Sequence, residues 1–199
     1  MATKGLSYMV AGKYAVSQGA LSISEGKVLG KAISYSISLD APQKNDLYAD
    51  NEIAESDNPV FTTGTLSLNP AEFSPTNMAW MMGQTARSVT LGSGTDSTTF
   101  SVYDYDDDMT PIQAAVGLIE YRQVSNADKY VAIILNRVQF KVPAESATTK
   151  GETVNWQTPT CEADILRDET EKKRWMTKSD YFSTEAAAKA YLNSVFGIS

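Results

Sequence analysis

The sequence predicts a mainly β fold, an antiparallel β-sandwich or barrel with one or two short packed helices and a long projecting loop. Three observations lead to this prediction. Apolar and polar residues alternate with a period of two in several segments that are separated by turn-forming residues. Helical spacing with capping residues occurs in only two short stretches. The chain has 199 residues, 42% of them hydrophobic and 21% charged, which is enough for one domain with its own core.

Regular alternation marks the predicted strands. In residues 32–39 apolar side chains occupy the odd positions from Ile33 onward, and Ser34, Ser36 and Ser38 lie on the opposite face. The other predicted strands are residues 6–10, 61–68, 86–91, 98–103, 112–123, 129–135, 136–142 and 154–166. The side chains expected to point inward are Leu6, Tyr8, Val10, Ile33, Tyr35, Ile37, Leu39, Val138, Phe140 and Val142.

Glycine-containing pairs predict the turns between these strands. They include Gln18-Gly19, Glu25-Gly26 and Lys150-Gly151, together with the Gly92-to-Gly94 segment. Short strands at this spacing are typical of a sandwich or a barrel.

Two short helices are predicted from their capping residues. The first has Ser74 as its N-cap, runs through Met82 and stops at Gly83, and a turn at residues 69–72 could open the same element. The second begins at Thr184, runs to Val195 and stops before Gly197. Its apolar face should pack on the sheet, and this face consists of Ala187, Ala188, Tyr191, Leu192 and Val195.

The segment 40–58 fits neither a strand nor a helix pattern. It has 19 residues, six of them acidic and one basic, which is long for a connection in a compact domain. Its apolar residues Leu47, Tyr48 and Ile53 argue against plain disorder. We predict a projecting arm or hairpin that becomes ordered on a partner. The chain as a whole, residues 1–199, is expected to be one domain with this loop and a C-terminal helix at about 184–195.

Composition excludes several classes of function. The chain has no histidine and one cysteine, Cys161, which removes histidine-dependent nucleophile systems, most zinc sites and any intrachain disulfide. With 17 basic and 24 acidic residues the net charge is −7, which argues against a protein that grips nucleic acid. No apolar run approaches a membrane span of about 20 residues, and the N-terminus does not resemble a signal peptide. We expect no membrane anchor.

Candidate chemical sites in the sequence are weak. Asp104, Asp106 and Asp108 have the spacing of the start of a calcium loop, but the glycine and the glutamate that such a loop needs are missing. Residues 92–97 lack the last glycine of a phosphate-binding loop. Residues 167–174 mix both signs of charge and predict an exposed turn. We therefore predict a protein that is not an enzyme, with no catalytic, cofactor-binding or metal site.

Charge is unevenly distributed along the chain. Residues 1–39 carry four Lys and one Glu, residues 40–128 carry 14 acids and three bases, and residues 129–199 carry nine acids and ten bases. The three net charges are therefore +3, −11 and +1. Such a distribution suits a protein that contacts copies of itself through unlike surfaces, although acids that simply collect in exposed loops would explain it as well.

Several segments, in their order and spacing, resemble the major tail protein of long-tailed bacteriophages, which is the subunit of the tail tube. The resemblance covers most of residues 5–195. It is carried by Leu47-Tyr-Ala-Asp-Asn51, the segment 63–73 (Thr-Gly-Thr-Leu-Ser-Leu-Asn-Pro-Ala-Glu-Phe), Met82-Gly83, the long strand 129–142, Thr149-Lys-Gly, Asn155-Trp-Gln157 and the closing Thr184-Glu-Ala helix.

This resemblance implies a β-sandwich with a helix packed on it, and a function in assembly. Six copies would join through sheet edges into a ring, and rings would stack head to tail into a tube lined by a continuous β-barrel. The loop 40–58 would be the arm that reaches a neighbouring subunit or ring. The candidate inter-subunit residues are Leu47, Tyr48, Asp50, Asn51, Glu52 and Ile53.

The implied partners follow from that assembly. They are further copies of the chain, a tape-measure protein, tail terminator and distal tail proteins, and double-stranded DNA that passes through without being held. The protein would reside in the virion tail after assembly in the cytoplasm of the bacterial host.

Two alternatives remain open at this stage. One is the inner-tube protein of a related contractile or type VI secretion-like system, and the other is a carbohydrate-binding β-sandwich that uses Trp80, Trp156 and Trp175 as a platform.

Overall fold

The computed structural model describes residues 2–41, 44–57, 59–92, 96–143, 147–149 and 156–198. The protein is mainly β, with antiparallel sheets and two helices, which confirms the predicted fold class. The strands are β1 (Ala2–Ser17), β2 (Ala20–Gly30), β3 (Ala32–Leu39), β4 (Asp46–Ala49), β5 (Glu52–Ser56), β6 (Gly64–Pro70), β7 (Ala86–Leu91), β8 (Thr98–Tyr103), β9 (Gln113–Val124), β10 (Ala127–Phe140), β11 (Cys161–Ile165) and β12 (Met176–Lys178). The helices are α1 (Pro75–Met82) and α2 (Glu185–Phe196).

One antiparallel sheet contains eight of the strands, in the order β2-β1-β9-β10-β11-β6-β3 with β12 also beside β10. Although β2 and β3 are at opposite ends of this order, only Lys31 separates them in the chain. The sheet must therefore curl until its ends meet near Lys31. No ladder of hydrogen bonds joins β2 to β3 in the described part of the chain, so the curled sheet packs like a sandwich and is not a closed barrel.

A bulge in β10 lets this strand belong to both layers of the curled sheet. Its pairing with β9 shifts in register between Leu135 and Val138. Before the shift β10 pairs with β12, and after it β10 pairs with β11. The segments 129–135 and 136–142, predicted as two strands, are therefore one strand with a bulge at Asn136 and Arg137. Val142 lies beyond the strand and is half exposed, so its predicted inward position is wrong.

Two hydrophobic cores lie on opposite faces of β1, β9 and β10. The larger core fills the space inside the curled sheet and includes Met81 and Met82 of α1. The smaller core lies beneath α2, where Leu192 and Phe196 pack on the outer face of these strands. Because both faces are covered, residues 114–119 of β9 and 131–135 of β10 are buried at consecutive positions and do not alternate with polar residues.

The caps of both helices confirm the sequence prediction. The side chain of Ser74 accepts a hydrogen bond from the backbone N–H of Asn77, and the side chain of Thr184 does the same for Ala187. Gly83 and Gly197 end the helices in the left-handed conformation, with φ of 69° and 65°. The segment 69–72 does not open α1, because its first two residues end β6 and the next two precede Ser74.

Three hairpins turn on two residues that both have positive φ, as in type I′ turns. The turn residues are Gln18-Gly19, Asp50-Asn51 and Ser125-Asn126. They join β1 to β2, β4 to β5 and β9 to β10. The turns predicted at Gly92–Gly94 and at Lys150-Gly151 fall partly or wholly outside the described residues.

Other differences from the prediction have local causes. Tyr8 has φ of 53° at a register shift of β1, so the strand switches faces there: Leu6 packs on the larger core, whereas Tyr8 and Val10 belong to the smaller one. In β3 Ala32, Tyr35 and Ile37 pack on the larger core, while Ile33 and Leu39 are about half exposed, so the predicted inward positions of these two are wrong.

Strand boundaries differ as well. Of the predicted strand 154–166, residues 154 and 155 lie outside the described residues, 156–160 are not extended in a ladder, and Cys161–Ile165 form β11. The strands β2 and β12 were not predicted.

Candidate functional site

The predicted projecting loop is a β-hairpin. We call residues 44–57 the arm. It contains β4 and β5, which pair antiparallel, and the six candidate inter-subunit residues all lie on it: Leu47 and Tyr48 on β4, Asp50 and Asn51 at the turn, and Glu52 and Ile53 on β5. The pairing is a separate two-stranded sheet, so the arm is an appendage to the main fold.

The arm exposes apolar side chains that would ordinarily be covered. Tyr48 and Ile53 are directly opposite each other across the hairpin, and they are 66% and 51% exposed. Leu47 is 60% exposed, and neither described core includes a side chain from the arm. A cross-strand apolar pair stabilises a hairpin, but a pair this exposed also suits a contact with another molecule.

The arm is strongly acidic. It carries five acids and one base, Lys44, for a net charge of −4. Asp46 accepts a hydrogen bond from the Ser56 hydroxyl at 2.5 Å and lies 2.9 Å from the Lys44 ammonium. These two contacts, that with Ser56 first, lower the pKa of Asp46 below its usual value. The carboxylates of the turn and of β5 have no described salt bridge.

The arm connects β3 to β6 at one end of the main sheet. Leu39, the last residue of β3, pairs with Gly64, the first residue of β6. The Asp40 N–H then donates to the Thr63 carbonyl at 3.2 Å, which extends this ladder by one step. Beside it Phe61 stacks on Trp175, with ring centroids 4.5 Å apart. The chain is therefore held on the fold at Asp40 before the arm and at Phe61 after it, and we call these two residues the base of the arm.

The sheet also has a polar group in its interior that the sequence analysis did not identify. Glu120 is 7% exposed and accepts hydrogen bonds from the Tyr35 hydroxyl and the Arg122 guanidinium. Burial, followed by the bond to Glu120, raises the pKa of Tyr35. Since Tyr35 is on β3 and Glu120 on β9, this contact connects two strands that are far apart in the strand order. In β9 Ala114, Val116 and Leu118 belong to the larger core, and counting on by two residues puts Glu120 on the same face. A carboxylate directly after the apolar run 114–119 was the available signal in the sequence.

Two of the weak chemical candidates of the sequence, Asp104 and Cys161, have defined local surroundings, while the segment 92–97 lies partly outside the described residues. Asp104 is exposed and forms a two-bond ion pair with Arg87 at 2.8 and 3.1 Å, which lowers the pKa of the carboxyl. No group of three or more potential metal ligands occurs in the described residues. Cys161 is buried, and burial raises the pKa of its thiol to about 12, so at neutral pH it is a packed, protonated side chain.

The three tryptophans have different environments. Trp80 packs on the larger core and its indole N–H donates to Glu25 at 3.1 Å, and Trp175 packs there with its ring stacked on Phe61. Trp156 alone among them is open, at 89% exposed. The three tryptophans therefore do not form a platform of three exposed rings.

A small cavity of about 240 Å³ lies between α1 and the strand β8. It is lined by Phe73, Pro75, Met78, Gln84, Tyr103 and Tyr105. The lining contains no carboxylate, thiol or basic side chain, so it offers no acid, base or nucleophile beyond two tyrosines.

Neither models of protein families nor curated protein sequences match this chain. Among the described residues no helix is long and apolar enough to cross a membrane.

Proposed function

We propose that the protein is a structural subunit that assembles with copies of itself into hexameric rings stacked as the tail tube of a long-tailed phage. The observation that carries this proposal is the arm, an acidic hairpin with exposed apolar side chains whose base, Asp40 and Phe61, is held on the fold. Such a hairpin has a use when a second molecule covers it.

Open strand edges also support self-assembly. Among the described strands β2 and β3 end the main sheet, and the hairpins β4–β5 and β7–β8 add further edges. An exposed edge is a template for pairing with another chain, and closure across subunits removes that hazard. A contact between unlike surfaces repeats around a ring or along a filament.

Net charge is compatible with a conduit for DNA. A ring of six copies would carry six times −7, or −42. A moving duplex needs a wall with few phosphate contacts, because each contact with Lys or Arg adds affinity and steepens the salt dependence by about 0.9. The proposed tube would assemble around a tape-measure protein and pass the DNA later.

Negative-stain electron microscopy of the concentrated protein tests this proposal. We expect rings and sheath-free tubes whose abundance rises with protein concentration. Discrete rings that never extend would favour the inner-tube alternative. A protein that stays monomeric up to high concentration, with or without a tape-measure protein, would contradict the assembly. Glycan binding that is lost in Trp156→Ala would instead favour the carbohydrate-binding alternative.

A further inference from the structure

A second surface of the chain has charge opposite to that of the arm. We call residues 167–178 the basic loop. It leads from β11 into β12 and carries Arg167, Lys172, Lys173, Arg174 and Lys178. Of its three acids, Asp168 is buried at 2% exposure and lies 3.6 Å from the Arg174 guanidinium, Glu169 pairs with Arg137 at 2.9 Å, and Glu171 is exposed. Lys172 and Lys173 are exposed and have no salt bridge among the described residues.

The basic loop is held in a fixed shape by hydrogen bonds around Asp168. The Asp168 N–H donates to the Arg174 carbonyl at 2.9 Å, and the Thr170 hydroxyl donates to the Asp168 carboxylate at 2.7 Å. The Lys173 N–H closes the turn onto the Thr170 carbonyl at 3.0 Å. A pre-ordered surface binds with a smaller entropic cost, so the exposed lysines are presented ready for an anionic partner.

The arm and the basic loop lie at the same end of the main sheet. Gly64 at the start of β6 pairs with Leu39 on one side and with Ile165 on the other. The arm connects β3 to β6 at this end, and the basic loop follows Ile165. The stack of Phe61 on Trp175 joins the base of the arm to the basic loop of the same copy.

The length of the hairpin separates the tip of the arm from its base. From residue 44 to the turn at residue 50 an extended hairpin spans about 20 Å, at about 3.3 Å per residue. No salt bridge between the arm and the basic loop of the same chain occurs among the described residues, so both charged surfaces are available to a second copy.

We propose that the acidic tip of the arm docks on the basic loop of a second copy, side by side at the same end of the sheet. This inference rests on the proposed self-assembly and specifies its contact. Asp50 and Glu52 face Lys172 and Lys173 of the next copy, and the exposed pair Tyr48 and Ile53 is covered at the same time. Because the two surfaces differ, the contact repeats around a ring.

Charge reversal tests the pairing directly. The arm variant is Asp50→Lys with Glu52→Lys, and the loop variant is Lys172→Glu with Lys173→Glu. Each should raise the protein concentration needed for half-maximal assembly at least about tenfold, since like charges then face each other. The variant that carries all four changes should return to within about threefold of the unchanged protein.

A matched control separates pairing from net charge. Asp107→Lys with Asp108→Lys makes the same change in charge as the arm variant at another exposed turn, and it should leave assembly within about threefold of the unchanged protein. The inference is overturned if the four-change variant is no better than either pair alone, or if this control is as damaging as the arm variant.

Cross-linking distinguishes this inference from the proposed function. Cys161 is buried, so one introduced cysteine per chain is the reactive one. A short bismaleimide should link Glu52→Cys chains to Lys172→Cys chains in a mixture, but not to Thr99→Cys chains. Tubes that show no link between arm and loop contradict this inference alone. A protein that neither assembles nor cross-links contradicts the proposed function as well.

Discussion

At the scale of single residues, Tyr35, Glu120 and Arg122 connect the edge strand β3 to the central strand β9 through a buried carboxylate. Tyr35→Phe removes one donor and leaves a Glu120 oxygen unpaired inside the fold. We expect a loss of about 1–3 kcal/mol in the free energy of unfolding, measured by urea denaturation. Tyr48→Phe, at an exposed tyrosine, is the control and should change stability by less than about 0.5 kcal/mol. Equal effects in both variants would contradict a role for the buried contact.

Cys161 gives the protein a predictable weakness at alkaline pH. Burial raises the pKa of this thiol from 9.0 to about 12, so the unfolded chain loses the proton at a lower pH than the folded one. The protonated thiol of Cys161 therefore contributes to the free energy of unfolding. This contribution is fully present below pH 9 and is lost as the pH rises from about 9 toward 12. Over that range the free energy of unfolding should fall by up to about 1.4 kcal/mol per pH unit from this group.

The Cys161→Ala variant isolates this effect. Its stability at neutral pH should be lower because a small cavity forms, but its decline above pH 9 should be shallower than that of the unchanged protein. The slopes of stability against pH are compared, not the absolute values. Parallel curves for the two proteins would mean that Cys161 does not contribute.

At the scale of elements, the arm should be separable from the fold. Neither described core includes a side chain from the arm, so deletion of residues 44–56 should leave a chain that unfolds cooperatively and keeps its β-rich circular dichroism. Assembly should be lost, because the deletion removes the exposed acidic and apolar contact surface. Normal tubes from this variant, seen by electron microscopy, would show that the arm has another use.

Substitutions on the two hairpins test the apolar part of the arm. Tyr48→Ser with Ile53→Ser should raise the concentration for half-maximal assembly at least about tenfold, since aromatic and aliphatic anchors carry much of the energy of an interface. Leu91→Ser is the matched control, because Leu91 is 61% exposed on the other hairpin. If Leu91→Ser weakens assembly as much, general surface hydrophobicity explains the effect.

Local sequence patterns predict some of the strands and helices of this fold and miss others. The strands β3, β7 and β8 and the caps of both helices agree with the prediction, because period-two alternation and capping chemistry are local signals. The strand β2 was not predicted because Ser24, Glu25 and Gly26 interrupt its alternation of apolar and polar residues. They do so at a bulge, where Glu25 has φ of 53°. The strand β12 has three residues, too few for any periodic pattern.

The candidate site was predictable in part for the same reason. Length, acidity and three apolar residues indicated a projecting hairpin at 40–58, and the structure places all six candidate residues on it. The basic loop could not be recognised from the sequence, because its charges look balanced there. Only the fold shows that Asp168 is buried beside Arg174 and that Glu169 is paired with Arg137, which leaves Lys172 and Lys173 with Glu171 as the one exposed acid that has no described salt bridge in this loop.

At the scale of the whole molecule, opposite charges are concentrated on surfaces and do not average out. The arm has a net charge of −4, while Lys172 and Lys173 of the basic loop are exposed at the same end of the sheet. Attraction between unlike surfaces steers copies toward one docking polarity and weakens with added salt. A molecule with this pattern can polymerise even though its net charge of −7 repels its copies at long range.

The same charge predicts how the assembled protein treats DNA. Non-specific DNA binding requires clustered Lys and Arg. Each phosphate that they neutralise adds about 0.9 to the slope with which the logarithm of the affinity falls against the logarithm of the salt concentration. A ring of six copies would carry six times −7, or −42. We therefore expect that the protein does not retard a double-stranded DNA fragment in gel shifts at about 50 mM salt and protein concentrations up to about 100 µM. Ordinary non-specific DNA-binding proteins retard such a fragment under these conditions. A shifted band that disappears as the salt concentration rises would instead indicate a continuous basic surface on the assembly. A tube with such a surface would bind the duplex that it is proposed to release, so this result would contradict the proposed conduit.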